Sequence, residues 1–228
     1  MTAYRIEPCT LADVPALARN NMSAFWTNQS WYLLWPKGTK LDFLIEQATQ
    51  RIPNNLVCNR ETLRHQKAVD PETGVLLGYA RWKLPAGYEG AVEWEDSQIA
   101  DVSEEEKRAL KERSDVAWWE PISMNEIDDC SPEKERLLAK KPYISLDYLA
   151  VHPENKGKGI ATALVETGIS LAEKTGVDML VLAFEAALNI YKKLGFKEIH
   201  RGYQDNTKYG GDGYWVTILE YKVNKASS

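Results

Sequence analysis

At 228 residues and 44% hydrophobic content, the chain can bury a core large enough for one domain carrying an insertion. Its 28 Lys and Arg against 33 Asp and Glu leave a net charge of −5, which excludes a protein that grips nucleic-acid phosphates over a broad basic face. The start M-T-A-Y-R-I-E-P lacks the apolar core of a signal peptide, and no stretch approaches the ~20 apolar residues of a membrane span.

Tyr4 to Pro8 alternates polar and apolar residues and stops at proline, the pattern of a short first strand. Thr10 offers a helix cap, and Val14, Leu17 and Ala18 share one face, so a helix is expected from Leu11 into the low twenties. Phe25, Trp26, Trp31, Tyr32 and Trp35 follow at high density beside polar residues. They are read either as core packing between two helices or as the wall of an acceptor pocket, with Phe25, Trp26 and Trp31 as substrate-binding candidates. Leu41, Leu44, Ile45 and Ala48 predict a second helix ending near Arg51. A short strand is expected at Asn55 to Arg60, pairing as a hairpin with a clearer strand at Gly74 to Leu84. The turn Asp70-Pro71-Glu72-Thr73-Gly74 precedes that second strand, its proline fixing φ and its glycine accepting positive φ.

Residues 86–141 differ in composition, being acidic and polar with helix starts at Ser103-Glu104-Glu105-Glu106 and Ser131-Pro132-Glu133. The stretch reads as a helical insertion before the central strand, either a surface subdomain or a lid over the substrate. The core resumes with a strand at Pro142 to Val151 and a helix from Ile160 that Gly176 ends. Val177 to Phe184 is nearly all apolar, as in a strand covered on both faces. A short helix over Ala186 to Leu194, a strand from Phe196 and a final strand at Tyr214 to Tyr221 complete a mixed α/β order.

Three widely spaced cysteines, Cys9, Cys58 and Cys130, and three scattered histidines make neither a disulfide framework nor a metal-ligand pattern. A reducing, cytoplasmic setting and a metal-free site are the expectations. The chemistry concentrates at D-Y-L-A-V-H-P-E-N-K-G-K-G-I-A-T-A-L, Asp147 to Leu164, a strand, a glycine turn and a helix start. Glycines admit a ligand close to the backbone, and the first helical N–H groups lack internal partners, so an anion such as phosphate suits the turn. Gly159 after Lys158 breaks the nucleoside-triphosphate loop pattern, and Thr162 breaks the dinucleotide G-x-G-x-x-G pattern.

This stretch, followed by I-Y-K-K-L-G-F-K-E from Ile190 to Glu198, resembles the GNAT-type N-acetyltransferases. In that family a strand leads into a Q/R-x-x-G-x-G/A pyrophosphate loop, and a later helix carries a tyrosine just before a glycine-phenylalanine turn. The resemblance covers Tyr143 to Glu198 and, more loosely, the opening strand and helices. It implies a central mixed, mostly antiparallel sheet flanked by helices, in a single acetyltransferase domain over 1–228, with acetyl-CoA as co-substrate. Leu149, Ala150 and Val151 would then border the pantetheine arm, with the N–H of Leu149 as oxyanion donor. Lys156, Gly157, Lys158, Gly159, Ile160 and Ala161 would form the pyrophosphate loop, and Thr162 would add a hydroxyl. Lys156 replaces the usual Gln or Arg but keeps the positive charge, and Phe184-Glu185 stands where the family has an asparagine.

By the same resemblance Tyr191 lies near the CoA sulfur, as general acid and cofactor contact. An amine attacking a thioester must be neutral, and Asp147 on the central strand or Glu185 after the next strand can serve as base. His152 is expected to cap or pack against the loop. The implied activity is direct acetyl transfer to an amine, of a small molecule, by a monomer or homodimer with no nucleic-acid or membrane partner. The alternatives are another acyl-CoA as donor or a non-catalytic acyl-CoA-binding module.

Overall fold

The computed structural model describes residues 4–87, 94–121 and 130–224. Its strands are β1 (Arg5–Pro8), β2 (Leu63–Val69), β3 (Leu76–Lys83), β4 (Ile144–Val151), β5 (Met179–Phe184), β6 (Lys197–Gln204) and β7 (Tyr214–Tyr221). They form one seven-stranded sheet in the order β1-β2-β3-β4-β5-β7-β6. Every neighbouring pair is antiparallel except β4 with β5, the mixed, mostly antiparallel sheet expected from the sequence.

Helices α1 (Val14–Trp26), α2 (Gln29–Tyr32), α3 (Leu41–Val57), α4 (Glu104–Val116), α5 (Ser131–Leu138), α6 (Ile160–Thr175) and α7 (Glu185–Lys193) flank the sheet. Alternate residues of a strand face opposite sides. On β3, Ala80 and Trp82 join Leu164 and Leu171 of α6 and Tyr191 of α7 in the largest core cluster. Tyr79, next to Ala80, packs the other way, against Val14 and Leu17 of α1 and Leu56 and Val57 of α3. On β5, Leu180 and Leu182 turn to that same side and meet Leu137 and Leu138 of α5. No described helix is long and apolar enough to cross a membrane.

The strand expected at Asn55 to Arg60 does not form. Leu56 and Val57 close α3, which runs straight through Pro53, and both are buried. A proline removes a single N–H and costs a helix interior about 3 kcal/mol; burial of the flanking apolar residues offsets it. The hairpin partner of β3 is instead β2, across the turn at Asp70 to Gly74. β2 reads L-R-H-Q-K-A-V, with Arg64, His65 and Gln66 all buried. Arg64 Nε donates to the Trp94 carbonyl at 2.9 Å, His65 Nδ1 meets the Tyr79 hydroxyl at 2.8 Å, and Gln66 Oε1 accepts from Trp82 Nε1 at 3.0 Å.

The 86–141 stretch lies between β3 and β4, with residues 88–93 and 122–129 outside the described residues. Ser103 caps α4 by accepting from the Glu106 N–H at 3.1 Å. α4 and the turn after it lie on α3: Arg51 Nη1 donates to the Ser114 carbonyl at 3.2 Å, and Gln47 Oε1 accepts the Trp118 N–H at 2.8 Å.

Candidate active site

β4 and β5 run parallel and register at Ile144 with Met179, Ser145 with Leu180 and Leu146 with Val181, and there the pairing ends. Beyond that point β5 stays with β7 and β4 stays with β3, so the two strands part and a wedge opens between them. The register of β4 on β3 slips at the same place: Trp82 faces Leu146 and Arg81 faces Tyr148, which leaves Asp147 as an extra residue. Such a bulge bends its strand and breaks the ladder. The free end of β4 is tied to α1 by Asn20, which is 2% exposed. Its Nδ2 donates to the Ala150 carbonyl at 3.1 Å and its Oδ1 accepts the His152 N–H at 2.9 Å.

Past the wedge, His152 caps a one-turn helix at Pro153–Asn155, its Nδ1 accepting the Glu154 N–H at 3.4 Å. Gly157 and Gly159 then take φ of +79° and +81°, the left-handed region that favours glycine. Gly159 caps α6 without any side-chain hydrogen bond, so the N–H groups of Ile160, Ala161 and Thr162 have neither a helical nor a capping partner. Two ammonium groups attend the turn, Lys158 at 3.0 Å from Asn155 Oδ1 and Lys156 at 3.4 Å from Thr27 Oγ1. Ile160 anchors the helix start in the core. A Cβ on Gly78 of β3 would lie 2.7 Å from Ile160 Cγ2, so glycine there lets α6 press onto the sheet.

Tyr191 is buried in the cluster that also takes in Leu149 and Val151, its ring edge-on to Phe196 at 5.5 Å. Burial alone pushes its phenol well above the ordinary range. Its hydroxyl has no hydrogen-bond partner among the described residues.

Residues 127–198 match the family model described as an acetyltransferase (GNAT) domain. The matched stretch takes in β4, the glycine turn, α6, β5 and α7. A fission-yeast protein, N-alpha-acetyltransferase 30 of Schizosaccharomyces pombe, is 32% identical over 85 residues, or 34% of this chain. The chain spans about half of that relative's length, 55%. Among solved structures, the histone acetyltransferase HPA2 and related acetyltransferase of Corynebacterium glutamicum superposes with a TM-score of 0.62 at 16% identity, over 100% of both chains. PaiA N-acetyltransferase of Thermoplasma acidophilum, solved with coenzyme A, gives 0.53 at 13% identity over 97% of this chain and 99% of its own. These two likenesses are likenesses of fold.

The carboxylates expected as bases have different surroundings. Asp147 pairs with Arg81, whose Nε and Nη2 lie 2.7 and 2.6 Å from Oδ2. Both contacts use that one oxygen, leaving Oδ1 free among the described residues. Burial alone would lower the Arg81 guanidinium, but Asp147 and the neighbouring tyrosines outweigh it and hold it above its usual value. Glu185, at the start of α7 and well exposed, accepts from Arg201 Nη2 at 2.9 Å, so its contact runs toward β6. Phe25 stands against Tyr148 with ring centroids 5.0 Å apart, beside Asp147 in the chain. Trp26 and Trp31 are partly buried in a cluster with Trp35, Trp118 and Trp119. The inserted stretch supplies two of the cluster's rings, Trp118 and Trp119.

Sequence reasoning missed Asn20, Arg81, His65 and Tyr79. His65 is buried, and burial first, with Arg81 and Arg64 nearby, lowers its imidazole to about 3, so it is neutral beside the Tyr79 hydroxyl. The signal for Arg81 was present in G-Y-A-R-W-K, where a cation alternates onto the face of Tyr79 in an otherwise apolar strand. Asn20 and Asn21 in the apolar stretch of α1 were the equivalent signal for the tie to β4.

Proposed function

We propose that this protein is an acetyl-CoA-dependent N-acetyltransferase that transfers the acetyl group directly to an amine of a small molecule. The observation that carries this reading is the wedge between β4 and β5, bordered by Leu149 and Val151, reaching the glycine turn at one end and sharing a core cluster with Tyr191. Leu149, Ala150 and Val151 stand on the part of β4 that has no β5 partner, the Ala150 carbonyl being held by Asn20. The open N–H groups at the start of α6, with Lys156 and Lys158, suit a pyrophosphate, and Thr162 adds a hydroxyl.

Acetyl-CoA supplies an activated acetyl thioester. Asp147 Oδ1 takes the proton that the attacking amine must lose, while Arg81 holds the other oxygen. The N–C bond forms as the C–S bond breaks. The Leu149 N–H donates to the oxygen on which negative charge develops, and the protonated Tyr191 hydroxyl donates to the departing thiolate. Glu185 is the weaker base candidate because its carboxylate already answers Arg201.

The acceptor side lies beyond Phe25 and Tyr148, and the 86–141 insertion covers that side through Trp118 and Trp119 as a lid within a single domain. Three free cysteines fit a reducing, cytoplasmic setting. A peptide α-amine is the second reading, favoured by the 32% identity to N-alpha-acetyltransferase 30. Release of CoA thiol is measured on a panel of small amines and of peptides with free N-termini. Small amines turned over in preference to peptides support the first reading. Acetyl-CoA binding without transfer to any acceptor, together with no effect of Tyr191→Phe, makes the domain a binding module. A thioester donor other than acetyl-CoA that turns over faster replaces the acetyl assignment.

A further inference from the structure

On the face of the sheet that carries α1 and α3, the end of α3 and strands β2, β3 and β4 line an open cavity of about 490 Å³. Asn55, Asn59, Thr62, Arg81, Lys83 and Asp147 contribute its polar lining. The cavity reaches the wedge at Asp147, the first residue of β4 after its last pair with β5. Arg81 and Asp147 neutralise one another. Lys83 is exposed and has no ion pair or side-chain hydrogen bond among the described residues, so among those residues the positive charge it brings to the cavity is uncompensated.

Lys83 follows Arg81 by two on β3 and so points to the same face. It registers with Ser145, two residues before Asp147 on β4, which sets the two backbone positions about 7 Å apart along the strand. A free carboxylate oxygen at one end and an unpaired ammonium at the other match a molecule with the opposite order of charges. We infer that the acceptor is an amine that also carries a carboxylate, with its amine at Asp147 Oδ1 and its carboxylate at Lys83. The side-chain amides of Asn55 and Asn59 line the same cavity and carry further N–H donors, one of those on Asn59 directed at Cys58 Sγ, while the Thr62 hydroxyl donates to the Asn59 carbonyl. This inference rests on the acetyltransferase reading for the chemistry and on the cavity alone for the binding.

Matched pairs test it: phenylalanine with phenethylamine, tryptophan with tryptamine, and lysine with cadaverine, each pair differing by one carboxylate. The full-length protein should favour the carboxylate-bearing member of at least one pair by about fivefold or more in kcat/KM, the upper end for an exposed ion pair. Lys83→Met should bring that preference below about twofold through KM and not kcat. Lys111→Met, on the exposed face of α4, should keep it. Preference for the decarboxylated member, or a preference that survives Lys83→Met, overturns the inference. Calorimetric binding of the same amino acids in the presence of CoA separates the two layers. Binding that Lys83→Met abolishes, with no turnover of any amine, keeps the cavity assignment and removes the transferase reading. Turnover that is indifferent to Lys83 does the reverse, and absence of both binding and turnover removes both.

Discussion

Replacing Asn20 by alanine strips two hydrogen bonds from the free end of β4, at the Ala150 carbonyl (3.1 Å) and the His152 N–H (2.9 Å). Asn20 is 2% exposed, so water cannot readily take its place. A buried group left without its partner costs about 1–3 kcal/mol, and two of them about 2–4 kcal/mol after partial relaxation. That is a large share of the ~5–15 kcal/mol by which domains are stable, yet it leaves the protein folded. At about 2–4 °C per kcal/mol for a chain of this size, Tm should fall by roughly 5–15 °C. The same change releases Val151, which sits between the two tied residues, and an edge ordered only part of the time weakens acetyl-CoA binding in proportion, about threefold to tenfold. Asn20→Asp keeps the acceptor for His152 but turns an oxygen toward the Ala150 carbonyl, so it should be at least as damaging. Differential scanning calorimetry and isothermal titration with acetyl-CoA measure both quantities. A drop in Tm of less than about 2 °C refutes the energetic argument; a large drop with unchanged acetyl-CoA affinity refutes the link from Asn20 to the wedge.

Tyr191→Phe should slow transfer by about 10²-fold or more while changing stability by less than about 0.5 kcal/mol, because the hydroxyl has no partner to lose. Burial keeps this phenol protonated past its ordinary value near 10, so the pH–rate profile should have no alkaline limb from Tyr191 below about pH 10. Asp147→Asn should cost about 10²-fold in kcat, and Glu185→Gln, whose partner is a surface arginine, less than about threefold; the opposite ranking would exchange their roles. Gly159→Val forces a branched side chain into φ +81° with its Cβ 3.1 Å from the Tyr4 hydroxyl, and calorimetry should detect no CoA binding. Burial would raise the Glu220 carboxyl, but hydrogen bonds from Lys141 (2.9 Å) and Tyr143 (2.7 Å) outweigh it and hold it below its usual value. Its contribution, about 1–2 kcal/mol, is therefore present above the ordinary glutamate value near 4.3 and lost as pH falls through the lower folded value. Urea melts of Glu220→Gln and wild type should differ at pH 7 and converge below about pH 4.

The glycine turn, the helix it opens, the apolar strands β4 and β5 and the tyrosine before Gly195-Phe196 were legible in the sequence. Each depends on local rules: strand and helix periodicity, caps, and the φ that only glycine takes easily. Local rules misjudged α3 and β2 for the same reason. Pro53 looks like a helix end when the core that rewards its continuation is out of view, and R-H-Q-K gives no strand signal of its own until Trp94, Tyr79, Trp82 and Asp13 are beside it.

By itself, then, the sequence determined most of the order of elements and the glycine turn that opens α6, since both follow from residues within one or two turns of each other. The tertiary structure decided where β4 and β5 part, which oxygen of Asp147 stays free, and that Lys83 faces the same cavity. Those features rest on contacts between residues 66 positions apart for Arg81 and Asp147, and 130 apart for Asn20 and Ala150. A charge or a strand edge has no defined partner until the fold closes such distances, and at this site the partners set the chemistry.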